Sequence, residues 1–175
     1  YSAYVATISN AFCGSRCQAA GCTRYEFAEE GGGSAQDGYG HAFYPTGDEY
    51  EGDWLDGKHD GNGVYTWAEG DVYEGEWASG MKHGLGQCFY ADRTDGEGDK
   101  LVTVYNENRR VGEGIIWVQG RLPHKMVDGE IMEELLVGGD EQARILAALG
   151  LPADHTPQKR GPRPAGGTGE GGKTS

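Results

Sequence analysis

Tyr50 to Gly63 reads YEGDWLDGKHDGNG, and Tyr73 to Gly86 reads YEGEWASGMKHGLG. The two stretches are offset by 23 residues, so Tyr50 returns as Tyr73, Gly52 as Gly75, Trp54 as Trp77, Gly57 as Gly80, Gly61 as Gly84 and Gly63 as Gly86. A fixed period in the twenties is the signature of a repeat architecture. Within each copy the side chains alternate with period two, which is a strand pattern and not a helical one. Tyr50, Gly52 and Trp54 fall on one face, with Glu51 and Asp53 on the other. Tyr73, Gly75 and Trp77 repeat this against Glu74 and Glu76. In the return strand Gly63, Tyr65 and Trp67 share a face, with Val64 and Thr66 opposite. The polar run Leu55 to Asn62 between them has the composition of a hairpin connection.

Each copy is therefore one β-hairpin. Gly57, Gly61, Gly63, Gly80, Gly84 and Gly86 are expected in its turns, and glycines beside the aromatic residues leave room for a ring to lie flat. Ala68 to Asp71 joins successive hairpins into one antiparallel meander. Two full copies span 50–72 and 73–95. One period earlier, Gly38, Gly40, Tyr44, Gly47 and Asp48 match in type, while Gly31 stands in the Trp54 place and Ser34 in the Gly57 place. A worn copy is expected at about 27–49. Beyond the second full copy, Ala91 to Lys100 is polar and turn-rich. A five-residue shift of register then restores the pattern over 101–120. Tyr105 takes the Trp place, Gly112 and Gly114 the paired glycines, and Ile116 and Val118 the places of Tyr65 and Trp67. Worn copies at both ends are what a repeat array requires, since a terminal unit has only one neighbour.

Glycine contributes 32 of 175 residues, against roughly 7% in ordinary chains, with 6 prolines and no Gly-X-Y period, so collagen is excluded. The formal net charge of −13 opposes non-specific attachment to nucleic acid or to an anionic bilayer. No apolar run approaches the length of a membrane span.

The flanks carry less information. Residues 1–26 form an irregular leader; the first residue, Tyr1, suggests a fragment or a processed product. Cys13, Cys17 and Cys22 lack the second ligand pair of a structural zinc site, and free thiols are the expectation. After Gly120 a linker leads to Ile131–Val137, either a strand or a helical turn. Gly139 to Gly150 is a short helix with Asp140 at its start, an apolar stripe of Ala143, Ile145, Leu146 and Leu149, and Gly150 followed by Pro152 as its stop. From Ala153 to Ser175 the composition is that of a disordered tail. Its basic residues Lys159, Arg160 and Arg163 are expected to be solvated.

The pattern Y-E-G-x-W-x-x-G-x-x-x-G-x-G resembles the MORN repeat (membrane occupation and recognition nexus), strongly over Tyr50–Tyr90 and weakly over the worn copies. The family's turn usually holds His-Gly; His83-Gly84 fits, whereas Asp60-Gly61 departs, with His59 one position early. The resemblance implies a mainly β fold, a single-layer antiparallel meander of stacked hairpins, with the short helix and tail added here. It further implies a cytoplasmic, non-catalytic scaffold for contacts with another protein, for self-association, or for attachment near cytoskeleton or membrane. MORN arrays also occur as regulatory regions of phosphatidylinositol phosphate kinases and lysine methyltransferases, and phospholipid head-group binding is a further alternative. The acidic balance counts against the last.

Tyr50, Trp54, Tyr65, Trp67, Tyr73, Trp77, Phe89 and Tyr90 form the candidate binding face. Aromatic residues dominate contact hot spots, but they also hold thin sheets together by packing on one another. Core packing is the favoured reading for most of them. His59, His83, Asp60, Glu74 and Glu76 do not form a repeated ligand set, because no two histidines share a repeat position. Glu51, Asp53, Glu74 and Glu76 recur with the fold and read as a solvated face, not as acid–base pairs. The paired glycines lack the strand–loop–helix context and lysine of a phosphate loop. No catalytic residue, metal or cofactor is expected.

Overall fold

The computed structural model describes residues 6–9, 24–27, 37–91, 98–119, 121–135 and 139–158. Its strands are β1 (Ala6–Ser9), β2 (Arg24–Phe27), β3 (Gly38–Phe43), β4 (Glu49–Leu55), β5 (Lys58–Thr66), β6 (Val72–Ala78), β7 (Met81–Phe89), β8 (Lys100–Asn106), β9 (Arg109–Trp117), β10 (His124–Val127) and β11 (Glu130–Glu134), followed by the helix α1 (Asp140–Ala148). They lie in one sheet in chain order, every neighbouring pair antiparallel. The fold is thus the expected mainly β meander of stacked hairpins, ending in one short helix.

The hairpin connections are shorter than the glycine spacing suggests. The turns are Asp56-Gly57, Ser79-Gly80, Glu107-Asn108 and Asp128-Gly129, with both residues of each at positive φ. These are two-residue turns of the primed kind, whose twist matches that of the flanking strands. The expected eight-residue connection Leu55–Asn62 is therefore wrong, and β5 already begins at Lys58. Of the six glycines assigned to turns, only Gly57 and Gly80 occupy them. Gly61 and Gly84 sit inside β5 and β7 at positive φ, where the ladder register shifts. Each such bulge admits extra residues into one strand and re-aims it. Gly63 and Gly86 lie in mid-strand, for a different reason.

That reason is a row of glycines across the sheet. Gly40, Gly52, Gly63, Gly75 and Gly86 are register partners on five successive strands. A Cβ on Gly52 would approach the Gly63 Cα to 2.5 Å and the Tyr50 hydroxyl to 2.7 Å; one on Gly86 would meet the Tyr73 ring at 2.5 Å. Tyr50 and Tyr73 therefore lie flat over glycine pairs, and each hydroxyl donates to a main-chain carbonyl, of Asp53 and Glu76 respectively, at 2.9 Å. On β8 the row changes. The partner of Gly86 is Thr103, and the residue two before it, in the tyrosine place, is Leu101. Without a flat ring to accommodate, a side chain fits.

Two aspartate series tie each hairpin to the next. Asp48, Asp71 and Asp99 accept the backbone N–H of Ala68, Ala91 and Gln119 at 2.8, 2.7 and 3.0 Å. Asp37 and Asp60 accept those of Asp56 and Ser79 at 2.7 and 3.0 Å. Tyr90 N–H reaches Asp99 carbonyl where Trp67 N–H reaches that of Asp71, so the five-residue insertion sits within this connection and the register resumes after it.

The flanks depart further from expectation. The linker after Gly120 is a further hairpin, β10 and β11, and the short strands β1 and β2 extend the sheet at its other end, with β1 at the edge. Unpaired strand edges invite pairing, and neither segment announces itself by alternation. Cys13, Cys17 and Cys22, the front of the first worn copy, and 159–175 lie outside the described residues. Pro157 is buried, so the ordered chain runs past the expected boundary at Ala153. The helix begins on Gly139 as its cap, with no side-chain capping bond; Asp140 is its first residue and helps through the helix dipole. Ile145 and Leu146 pack on Ile115 and Leu135, while Glu113, Lys125, Glu141 and Arg144 join in ion pairs of 2.7–3.0 Å that link β9, β10 and α1.

Gly75→Thr alone is expected to destabilise by about 2–3 kcal/mol, as forced overpacking does. Combined with Tyr73→Leu, which recreates the β8 arrangement, it should cost less than the sum of the single changes by about 1 kcal/mol. Urea unfolding of the three variants measures this coupling.

Candidate functional site

The sheet has two chemically different faces. One carries a core of Ala42, Tyr50, Trp54, Tyr73, Trp77, Cys88, Leu101, Tyr105, Ile116 and Met126, with Tyr44, Tyr65, Trp67, Tyr90 and Val118 packed against it and half-buried. Tyr50 and Tyr73 are fully buried, and Trp54 and Trp77 retain 5% and 7% exposure. The indole N–H groups of Trp54 and Trp77 reach the carbonyls of Gly40 and Gly63 at 3.3 Å. The proposed binding face therefore divides. Tyr50, Trp54, Tyr73 and Trp77 are structural, whereas Tyr65, Trp67 and Tyr90 keep exposed ring surface. Phe89 does not belong with them: it pairs with Val72, one residue out of phase with the Tyr73–Cys88 pair, and so faces the other side.

Against these rings stands one basic residue per hairpin. His59, Lys82 and Arg110 occupy the same repeat position and pair across their hairpins with Trp54, Trp77 and Tyr105. Each also meets an aromatic residue of the preceding hairpin. Tyr44 hydroxyl and His59 Nε2 are 2.8 Å apart, Lys82 Nζ lies 4.4 Å above the Trp67 ring, and Arg110 donates to Tyr90 hydroxyl at 2.8 Å. With two strands per repeat the bases are spaced by roughly 10 Å. The chain thus writes one contact three times with three different bases.

The chemistry of the three differs. His59 stacks on Tyr50 with centroids 3.6 Å apart and meets Trp54 and Trp77 edge-on at 4.8 and 4.9 Å. Burial pushes its pKa down to about 4, so it is a neutral packing ring at pH 7. Lys82 sits within 5.7 Å of the Trp67, Tyr73 and Tyr105 ring centres; burial lowers its pKa, while cation–π attraction favours the charged form. Burial likewise pushes Tyr65 and Tyr90 up to about 12. The Tyr65 and Tyr90 hydroxyls are therefore protonated at pH 7. Between Lys82 and Arg110 opens a pocket of about 390 Å³, lined also by Trp67, Cys88, Tyr90 and Tyr105.

The opposite face is acidic but not merely solvated. Asp53 accepts Asn62 N–H at 2.9 Å and Glu76 accepts Leu85 N–H at 3.1 Å, so both carboxylates fasten the bulges at Gly61 and Gly84. Glu51 accepts the Tyr39 hydroxyl at 2.6 Å. His83 pairs with Glu76 on this side, a sheet thickness away from His59. The two histidines therefore cannot share a ligand, and among the described residues no group of three or more His, Cys, Asp or Glu is placed to hold a metal.

Lys82 and Arg110 were not among the residues singled out by pattern. The signal was present, since Lys82 lies one period after His59, but the position repeats in basic residue type and not in residue identity.

A family model described as MORN repeat matches residues 50–72 and 73–94, the two full copies. No curated protein matches the chain significantly. The matched repeat is a non-catalytic motif, and none of the described helices is long and apolar enough to cross a membrane.

Trp54→Ala and Trp77→Ala are each expected to destabilise by about 3 kcal/mol or more, as loss of a buried large aromatic does, and Trp67→Ala by clearly less. Thermal unfolding of the three ranks them. His59 makes a second expectation. Its folded pKa lies below its unfolded one, so the unfolded chain takes up the proton first; the stability it supports is complete above about pH 6.5 and declines as pH falls towards 4. Between pH 7 and 5 the loss should be about 1 kcal/mol, discounted because the ring is partly exposed. His59→Gln should flatten that dependence in denaturant titrations at the two pH values.

Proposed function

We propose that this MORN-repeat protein is a non-catalytic interaction module, and that its aromatic face receives a protein partner. The observation that carries this reading is the row Tyr44, Tyr65, Trp67 and Tyr90, half-buried and continuous with the core, on the face away from the helix. Ile115 faces α1 whereas its neighbour Ile116 belongs to the aromatic core. The C-terminal helix thus covers the other side, and a one-layer sheet needs something to cover each apolar face.

Rigid aromatic rings with a hydroxyl or indole rim lose little entropy on binding and dominate contact energetics. Here their neighbours hold them: Tyr65 donates to Asp48 at 2.9 Å and Tyr90 receives Arg110. The face is preorganised, which lowers the ordering cost of association. A cytoplasmic role in attachment near cytoskeleton or membrane belongs to the same proposal, with the partner supplying the address.

The test is affinity capture with the wild-type chain and with Trp67→Ala, followed by mass spectrometry. Proteins retained by the first and lost by the second, with both folded to similar melting temperatures, support the reading. Identical capture by the two would place the interaction elsewhere on the chain.

A further inference from the structure

We propose that the pocket between Lys82 and Arg110 is a receptor for an acidic side chain of a bound polypeptide. The inference rests on the aromatic face being the docking surface and adds the chemistry of what docks there.

The first ground is charge without a partner. Among the described residues, neither Lys82 nor Arg110 forms an ion pair with a carboxylate, although the chain holds 28 acidic residues against 15 basic ones. In a chain so rich in carboxylates, two adjacent cations left to ring faces and hydroxyls are conspicuous. Lys82 is partly desolvated by the Trp67, Tyr73 and Tyr105 rings, and a desolvated cation gains most from an anion brought to it. Arg110 is steered by the Tyr90 hydroxyl, which occupies one N–H of a fork that carries five.

The second ground is the fate of the nearby acids. Asp71 lines the pocket, but its Oδ1 accepts Ala91 N–H at 2.7 Å and so fastens the hairpin connection. Glu69 also lines the pocket but is exposed to solvent. The third is size: about 390 Å³ suits one or two side chains and is lined by ring surface as well as by the two cations. A carboxylate carried beside an apolar side chain fits both features.

The array also assigns a direction to the occupant. The equivalent slot one repeat earlier holds His59, neutral and bonded to Tyr44, so it offers no charge. An acidic residue therefore belongs at the Lys82–Arg110 end, and apolar residues at the Tyr44–Tyr65 end, about 10 Å away for each repeat. Selection works at contact range, because the net charge of −13 repels acidic chains at a distance and is screened within about 8 Å at physiological salt.

The test uses a random peptide display library selected against the wild-type chain, against the double variant Lys82→Met/Arg110→Met and against Trp67→Ala. Methionine keeps apolar bulk over the rings, and melting curves check that each variant is folded. Wild-type selection should enrich Asp and Glu, and the enrichment should vanish with the double variant. For a selected peptide, Glu→Gln should weaken binding by about tenfold, the scale of one charge-assisted hydrogen bond, and only in the wild-type chain. Peptides that need Trp67 but carry no acidic excess, or an excess that survives the double variant, overturn this proposal and leave the aromatic face as the docking surface. Failure of the wild-type chain to enrich any Trp67-dependent peptide overturns both.

Discussion

A tyrosine ring laid flat across two paired glycines is the contact on which the sheet depends. Tyr50 over Gly52 and Gly63, and Tyr73 over Gly75 and Gly86, leave no room for a Cβ at those positions. The hydroxyl at the far end of each ring then closes on the backbone of its own strand, so one side chain fixes both the pairing of two strands and the spacing of the aromatic rows. Glycine weakens a strand by its unfolded-state entropy and lack of packing surface. The ring returns that loss by covering the bare backbone, and tryptophan from the same strand packs edge-on against it at 5.1–5.2 Å. Tyrosine and its same-strand glycine are thus one unit of structure, which is why they recur together and are replaced together by Leu101 and Thr103, while Gly114 opposite is kept by its contact with Thr103.

A sheet one layer thick cannot hide both faces, and this chain solves the problem unequally. At the C-terminal end α1 covers the side bearing Ile115 and Trp117, secured by the Glu113–Lys125–Glu141–Arg144 network. Along the middle, that same side is guarded by acids with structural duties, Asp53 and Glu76 at the bulges. The other side keeps its rings and places a basic residue beside each set. Along the middle of the array the bulge-fastening carboxylates Asp53 and Glu76 thus lie on one face and the ring-held bases Lys82 and Arg110 on the other.

The repeat, its strand phase and the meander were legible in the sequence because the 23-residue period is written in side-chain type, and side-chain type alternates with strand geometry. The insertion after Ala91 was legible for the same reason. Turn positions were not. Gly57 and Gly61 look alike in a list of residues, yet one closes a primed turn and the other relieves a bulge; distinguishing them needs the register, which depends on which residue the opposite strand presents. Of the β10–β11 hairpin only β11 was legible, as the strand alternative at Ile131–Val137; β10 reads as linker, because the two strands pair through the backbone without an alternating apolar pattern and every residue of β11 is exposed. Of the candidate face, the rings were visible but their burial was not. Whether Trp54 or Trp67 is covered depends on the neighbouring hairpin, and Phe89, grouped with the rings by residue type, is sent to the other side by strand phase.

The bases were harder to see because their position conserves a role and not a residue. The slot formed by a strand-start base and the preceding hairpin's aromatic is occupied by histidine with tyrosine, lysine with tryptophan, and arginine with tyrosine. If the slot existed only to pack the sheet, the neutral form would serve throughout, as His59 does; a cation beside a ring carries a desolvation cost that cation–π attraction offsets only in part. Two of the three slots hold a lysine or an arginine, adjacent to one another and beside a pocket of about 390 Å³ on that face. Packing explains the aromatic half of each slot. It does not explain the cations, and a function for this face has to account for both.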